Sequence, residues 1–269
     1  MSRAGGVFTV PEGDEPRAVG FPLGEVVAFT RRAPDKDGDA NEDAAAVVAA
    51  EVGGLLLVAD GMGGRSAGRR ASRLVVETVA ERVARAEGAG QALRHAVLDG
   101  IEAANAAVRE LGLGAGATVA AIALSGGNAR AFHVGDAVVM HVGQRGLLKA
   151  VTVPHSPTGY GVEAGLLDVD EAMVHEERHL VLNYVGHEGM RIEVGAKVGV
   201  ASRDTLLVAS DGLADNLTPE EIVATARKGP LLEAGQRLAG RARSRMAGRS
   251  EAAPSKPDDL TFLLFRPRR

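Results

Sequence analysis

Leu55-Leu56-Leu57-Val58-Ala59-Asp60-Gly61-Met62-Gly63-Gly64 is a short apolar run that ends in an aspartate and then breaks into glycines. An apolar run of this length, bounded by turn formers, predicts a buried strand. Asp60-Gly61 places a carboxylate where that strand ends. The arrangement recurs: TLLVAS (205–210) runs into Asp211-Gly212, and ARAFHVG (129–135) runs into Asp136. Asn41-Glu42-Asp43 stands just before the apolar stretch AAAVVAA (44–50), and Asp258-Asp259 just before LTFLLF (260–265). A lone Asp-Gly is ordinary turn chemistry. Strands that end together, however, gather their carboxylates, and like charges packed closely resist ionisation unless cations neutralise them. Mg²⁺ and Mn²⁺ take oxygen ligands, and two such ions roughly 3.5–4 Å apart can activate water and clamp a phosphoryl group. The spacing points to metal-assisted hydrolysis and names no substrate.

Further strands are predicted at EVVAFT (25–30), TVAAIAL (118–124) and AVVMHVG (137–143). Two helices are predicted over 66–87 and 91–112; in the first, Leu74, Val75, Val79 and Val83 share one face. Another opens at Thr218-Pro219-Glu220-Glu221, with Thr218 as cap and Glu221 closing a capping box, followed by an Arg-rich helix over about 231–247. Residues 154–200 are less regular. Residues 1–24 mix Gly, Pro and charge without periodicity and read as an extended leader before a single domain over 25–269. Strand groups with segregated helix pairs predict a sheet sandwich with helices outside.

The chain of 269 residues is 45% hydrophobic but only 3% aromatic, so its core is expected to be Ala, Val and Leu. With no Cys, disulfides, Cys-ligated zinc and thiolate nucleophiles are excluded. A net charge of −4 disfavours non-specific nucleic-acid binding. No apolar run approaches the ~18 residues of a membrane span, and MSRAGGVFTV lacks a secretory signal. The expectation is a soluble cytoplasmic protein with no nucleic-acid or membrane partner.

Val58-Ala59-Asp60-Gly61-Met62-Gly63-Gly64, with Gly68 and Ala71-Ser72, resembles the signature of the metal-dependent protein serine/threonine phosphatases of the PP2C (PPM) family, bacterial type. The resemblance continues in order through Asn41-Glu42-Asp43, Gly116-Ala117-Thr118, Val134-Gly135-Asp136, Ser210-Asp211-Gly212-Leu213 with Asp215, and Asp258-Asp259-Leu260-Thr261. It implies an α+β fold, a four-layer αββα sandwich of two antiparallel sheets flanked by helix pairs. It also implies two Mn²⁺ or Mg²⁺ ions, with a third in bacterial members. By position, Asp60 would bridge two ions, assisted by the Gly61 carbonyl; Asp211 and Asp258 would complete one, and Glu42 or Asp43 would serve the other directly or through water. Asp136 and Asp215 match the third ion's acids, and Asp60, Asp211 and Asp258 are the catalytic candidates. Asp259 falls where the family usually has Asn and is given a supporting role. The implied activity is hydrolysis of phosphoserine and phosphothreonine in proteins by a metal-bridging hydroxide, with phosphorylated proteins and a Ser/Thr kinase as partners and a monomeric chain. His155-Ser156 through about Glu177 would form a flap beside the cleft.

The chain departs from the family at Gly38, where an Arg commonly holds substrate phosphate, with Lys36 and Arg32 displaced from that position, and at Met62, where eukaryotic relatives carry a His. Gly38 supports the alternative of a catalytically weak phosphoprotein-binding regulator. A minor alternative is a zinc protease, since His175-Glu176-Glu177-Arg178-His179 spells HExxH and would place both His on one face of a helix. Asp35-Lys36-Asp37-Gly38-Asp39 imitates a calcium loop but lacks its Gly and Glu positions. His95, His133, His141 and His187 are expected to be structural, and Arg65, Arg69, Arg70 and Arg73 to lie on a solvated helix face.

Overall fold

The computed structural model describes residues 6–34, 40–51, 53–86, 90–112, 114–248 and 255–268; Lys36, Gly38 and the calcium-like loop fall outside them. Elements are numbered in chain order. The seven-stranded sheet runs β1 (Gly6–Thr9), β4 (Asp43–Ala50), β5 (Gly53–Met62), β6 (Gly116–Ser125), β7 (Asn128–Val134) and β10 (Glu193–Val194), with β11 (Val198–Gly199) also on β7. The six-stranded sheet runs β2 (Arg17–Phe21), β3 (Gly24–Arg31), β13 (Leu260–Pro267), β12 (Thr205–Ala209), β8 (Val138–Val142) and β9 (Leu148–Val151). Every pairing is antiparallel.

Strand β5 shows why the layers stack. Its side chains alternate between two faces, and both faces are covered. Leu55, Leu57 and Ala59 pack under α1 (Arg65–Ala84) and α2 (Gly90–Glu110), against Val75, Val79, Val97 and Ile101. Leu56 and Val58 face the other sheet, meeting Val26, Leu206, Leu263 and Phe265. Burying each such leucine is worth about 1.5–3 kcal/mol, so the uninterrupted apolar run is what a central strand with two dry faces requires. On the far side, Val27, Phe29, Leu207 and Phe262 pack beneath α6 (Pro219–Ala226) and α7 (Leu231–Met246), against Ile222, Leu231 and Leu238. The result is the expected αββα sandwich.

The N-terminal segment differs from the expectation. Residues 6–21 are not a separate leader: β1 pairs with β4 and β2 with β3, as edge strands of the two sheets. Backbone pairing draws in β1, whose side chains are all exposed. In β2 the signal was present, since Val19 and Phe21 alternate into the core. The irregular region holds α3 (Pro157–Glu163) and α4 (Val169–Val174), and β12 leads into the short α5 (Asp211–Ala214). Thr218 and Glu221 form the anticipated capping box. Among the described residues no helix is long and apolar enough to cross a membrane.

Candidate functional site

Antiparallel register assembles the site. Asp60 stands opposite Asp43 on β4 and opposite Thr118 on β6. From the second sheet, β12 ends at Ser210-Asp211 and β13 begins beside Asp258-Asp259. These two ends are stitched together by the Ser210 N–H to the Thr261 carbonyl at 3.0 Å and the Thr261 N–H to Ser210 Oγ at 3.1 Å. Ser210 Oγ also donates to Asp43 Oδ2 at 2.8 Å, tying the two sheets together. The turn between β7 and β8 adds Asp136. Asp60, Asp136, Asp211, Asp215 and Asp258 are part-buried and still reach solvent, whereas Asp43 is buried.

The charges are strongly frustrated. Burial, and then repulsion from Asp43, Asp211, Asp258 and Asp136, holds the Asp60 carboxyl well above the usual carboxylate range. Burial and Asp259 raise Asp43 in the same way, opposed by hydrogen bonds from Ser210 and Thr261. Asp136 is pushed up to about 8 by burial, Asp211 and Asp215, and Asp215 to about 6 by burial and Asp211. A cation lies among them: Lys256 Nζ is 2.6 Å from Asp211 Oδ2, 2.7 Å from Asp215 Oδ2 and 3.4 Å from Asp258 Oδ2. Burial disfavours its charge, but the three carboxylates more than compensate and raise its pKa.

Hard divalent cations fit this recess. The donors are all oxygens, as Mg²⁺ and Mn²⁺ prefer, and ionising the raised carboxyls requires added positive charge. Among the described residues, Asp43 Oδ1 and Thr118 Oγ1 are buried without a hydrogen-bond partner, an arrangement that costs stability unless something else satisfies them. Glu42, on the loop entering β4, is positioned by its backbone. Its N–H donates to Asp259 Oδ2 at 2.7 Å, and its carbonyl accepts from the Gly61 N–H at 3.2 Å and from Ser72 Oγ. Asp259 also accepts the Ala33 N–H at 2.8 Å on Oδ1, so its carboxylate braces the acidic loop.

The glycines that follow the aspartates permit close backbone approach. A Cβ on Gly61 would stand 2.1 Å from the Gly68 carbonyl oxygen, and one on Gly212 would stand 1.9 Å from that of Asp259. The turn at Asp136 is braced by His155 and Asn183. The Gly135 N–H and Asn183 Nδ2 both reach His155 Nδ1, at 3.1 and 2.8 Å, and the His155 N–H returns to the Gly135 carbonyl at 2.9 Å.

Sequence reading missed Lys256, His155 as a brace, Asn183 and the Ser210–Thr261 stitch. Only Lys256 left a signal, as a basic residue two positions before Asp258. The HExxH reading is corrected: α4 ends at Val174, His175 is extended at φ −64° and ψ 143°, and Glu176–His179 are turn. The two His therefore do not share a helix face, because the capping box at Asp168 opens only a six-residue helix before them. A different group, His133, His155 and Glu193, brings three ligand-type atoms within 4.8 Å. In it His155 Nε2 pairs with Glu193 at 3.2 Å, His133 Nε2 with the Val153 carbonyl at 3.0 Å, and the two rings stack, which is a structural strut. His141 is likewise structural, bonded to Asp204 at 2.8 Å. Arg32 is held by Glu12 at 2.8 Å, while Arg69, Arg70 and Arg73 line an open groove with Ser66 and Ala40.

The family model described as Protein phosphatase 2C matches residues 32–244. The serine/threonine protein phosphatase PstP of Mycobacterium tuberculosis is 32% identical over 193 residues, covering 68% of this chain and only 36% of that relative's length. The S. agalactiae serine/threonine phosphatase structure is 27% identical and superposes with a TM-score of 0.77 over 91% of this chain and 99% of its own. The catalytic domain of PstP in complex with two manganese ions is 25% identical, with a TM-score of 0.70 over 92% and 99%. The matched span runs through most of the strand ends that gather these carboxylates, and the same sandwich underlies the superposed structures: the chain belongs to the protein phosphatase 2C family.

Proposed function

We propose that the protein is a Mn²⁺- or Mg²⁺-dependent phosphatase acting on phosphoserine and phosphothreonine in proteins. The observation that carries this reading is the convergence of Asp60 with Asp43, Asp136, Asp211 and Asp258 from separate strand ends, each raising the Asp60 pKa or raised itself. Similarity to PstP supports the substrate class, and the two manganese ions in the PstP catalytic domain support the cofactor. Asp60, Asp211 and Asp258 would hold one ion, and Asp60 with Glu42 or Asp43 and the Gly61 carbonyl the other. Asp136 and Asp215 would be an outer pair. When bound, such ions polarise phosphoryl oxygens and lower the pKa of water.

The chain itself supplies orientation and electrostatics. Asp259 and Ser72 fix the Glu42 backbone, Ser210 fixes Asp43, and His155 and Asn183 fix the turn at Asp136. Met62 offers no proton where a His would, so leaving-group protonation falls to solvent. Phosphorylated proteins and the Ser/Thr kinase that modifies them are the proposed partners of a monomeric, cytoplasmic chain.

The test is hydrolysis of p-nitrophenyl phosphate and a phosphothreonine peptide with Mn²⁺, Mg²⁺ or EDTA. Turnover is expected only with metal, and Asp60→Asn should lose more than about 100-fold, beyond what outer-shell changes typically cost. A folded sample with no turnover under any metal would reject the enzyme in favour of the phosphoprotein-binding regulator.

A further inference from the structure

Lys256 is held more firmly than an exposed lysine beside acidic neighbours would be. Its ammonium has three N–H donors, and three carboxylate oxygens surround it at 2.6, 2.7 and 3.4 Å, from Asp211, Asp215 and Asp258. Its backbone is clamped in both directions by the fully buried Asn216: the Lys256 N–H donates to Asn216 Oδ1 at 3.0 Å, and Asn216 Nδ2 donates to the Lys256 carbonyl at 2.8 Å. Asn216 Nδ2 also reaches the Gly212 carbonyl at 3.0 Å, and Ser255 Oγ donates to the Arg245 carbonyl at 2.8 Å. The segment carrying the lysine is therefore pinned to α5, the one turn that spaces Asp211 and Asp215 onto the same face. All three contacts use Oδ2 oxygens. Among the described residues, Asp43 Oδ1 has no hydrogen-bond donor.

We propose that Lys256 is the resident cation of the Asp211–Asp215–Asp258 side of the recess. It holds the place beside Asp215 that a further divalent ion would otherwise take, leaving the recess the ion assigned to Asp60, Asp211 and Asp258 and the ion assigned to Asp60 with Glu42 or Asp43. The inference rests on the metal-dependent reading above. Lys256 is a positioning residue: it fixes how many ions the recess takes and how Asp211 is aimed, and it touches no substrate.

Mn²⁺ binding to the whole chain, counted by the electron paramagnetic resonance signal of free Mn²⁺ after equilibrium dialysis, tests it. Lys256→Met keeps the aliphatic stem and removes the charge, and should bind one more ion per chain than the unsubstituted protein. Lys256→Arg should leave the count unchanged, and adding Asp215→Asn to Lys256→Met should cancel the extra ion. If Lys256→Met is unfolded without metal, Mn²⁺ should restore its circular dichroism; failure to do so overturns the proposal. Equal counts for the unsubstituted chain and folded Lys256→Met also overturn it. Absence of Mn²⁺ binding by the unsubstituted chain overturns the metal-dependent reading instead, and an extra ion in Lys256→Met would still support the role of the lysine.

Discussion

A methyl group at Gly61 has no room. It would sit 2.1 Å from the Gly68 carbonyl oxygen and 2.8 Å from that of Glu42, both backbone atoms that cannot swing aside as a flexible side chain can. Gly61→Ala should therefore push α1 or the Glu42 loop away from β5, at the roughly 1–3 kcal/mol typical of overpacking. Thermal melting with and without Mn²⁺ checks this. A lowered midpoint together with weaker Mn²⁺ stabilisation is expected, and an unchanged midpoint would show that the contact is more yielding than its geometry indicates. The glycine was legible in the sequence as a turn former after Asp60. Its packing against Gly68 and Glu42 was not, because those residues meet it only through the pairing of β4 with β5 and the folding back of α1.

At the scale of elements, Glu221 links α6 to α7. It closes the capping box of α6, with Glu221 Oε2 accepting the Thr218 N–H at 3.0 Å. From α7 it receives a two-pronged pair from Arg245 at 2.7 and 2.8 Å and a contact from Arg241 at 2.6 Å. Arg245 continues to the carbonyl of Asn216, the residue that clamps Lys256. The hydrogen bonds from Arg245 are the largest influence and lower the Glu221 carboxyl from 4.5 to about 2. A depressed carboxylate stabilises the fold above its unfolded pKa and loses that contribution as pH falls through its folded one. Glu221→Gln keeps the cap acceptor and removes the charge. It should cost about 1.5–3 kcal/mol at neutral pH, as charged hydrogen bonds do, with the difference from the parent shrinking as pH falls from 4.5 towards 2. Urea denaturation across that range is the measurement, and a pH-independent difference would contradict the assignment. The sequence predicted the capping box from local spacing alone, but not the arginines, which reach Glu221 from 20 and 24 residues downstream.

Across the whole molecule, the site works against the stability of the metal-free fold. Carboxyls whose folded pKa lies above the unfolded value bind more protons when folded, so stability falls as pH rises from the unfolded value towards the folded one. With Asp215 at about 6 and Asp136 at about 8, the metal-free protein should lose stability between pH 5 and 8. At about 2–4 °C per kcal/mol for a chain of this size, the midpoint should drop by several degrees over that window in EDTA. Mn²⁺ should flatten the trend, with its largest effect at the alkaline end. A metal-free midpoint that rises with pH over the same window would count against the carboxylate cluster as described.

The sequence by itself determined the layers and the inventory of carboxylates. Apolar periodicity and strand-terminal aspartates are local properties, written residue by residue in runs such as Leu55–Asp60 and Thr205–Asp211. Only the tertiary structure decided what those residues meet. Nothing local in residues 6–9 marks an edge strand, because β1 is exposed along its whole length and is held by backbone bonds to β4. HExxH looked helical by spacing, yet the chain leaves the helix at Val174, where α4 ends after six residues. Lys256 is an unremarkable basic residue until α5, β12 and β13 bring Asp211, Asp215 and Asp258 around its ammonium. Electrostatic coupling depends on distance through space, and distance through space is set by strand order and register, which no local pattern encodes.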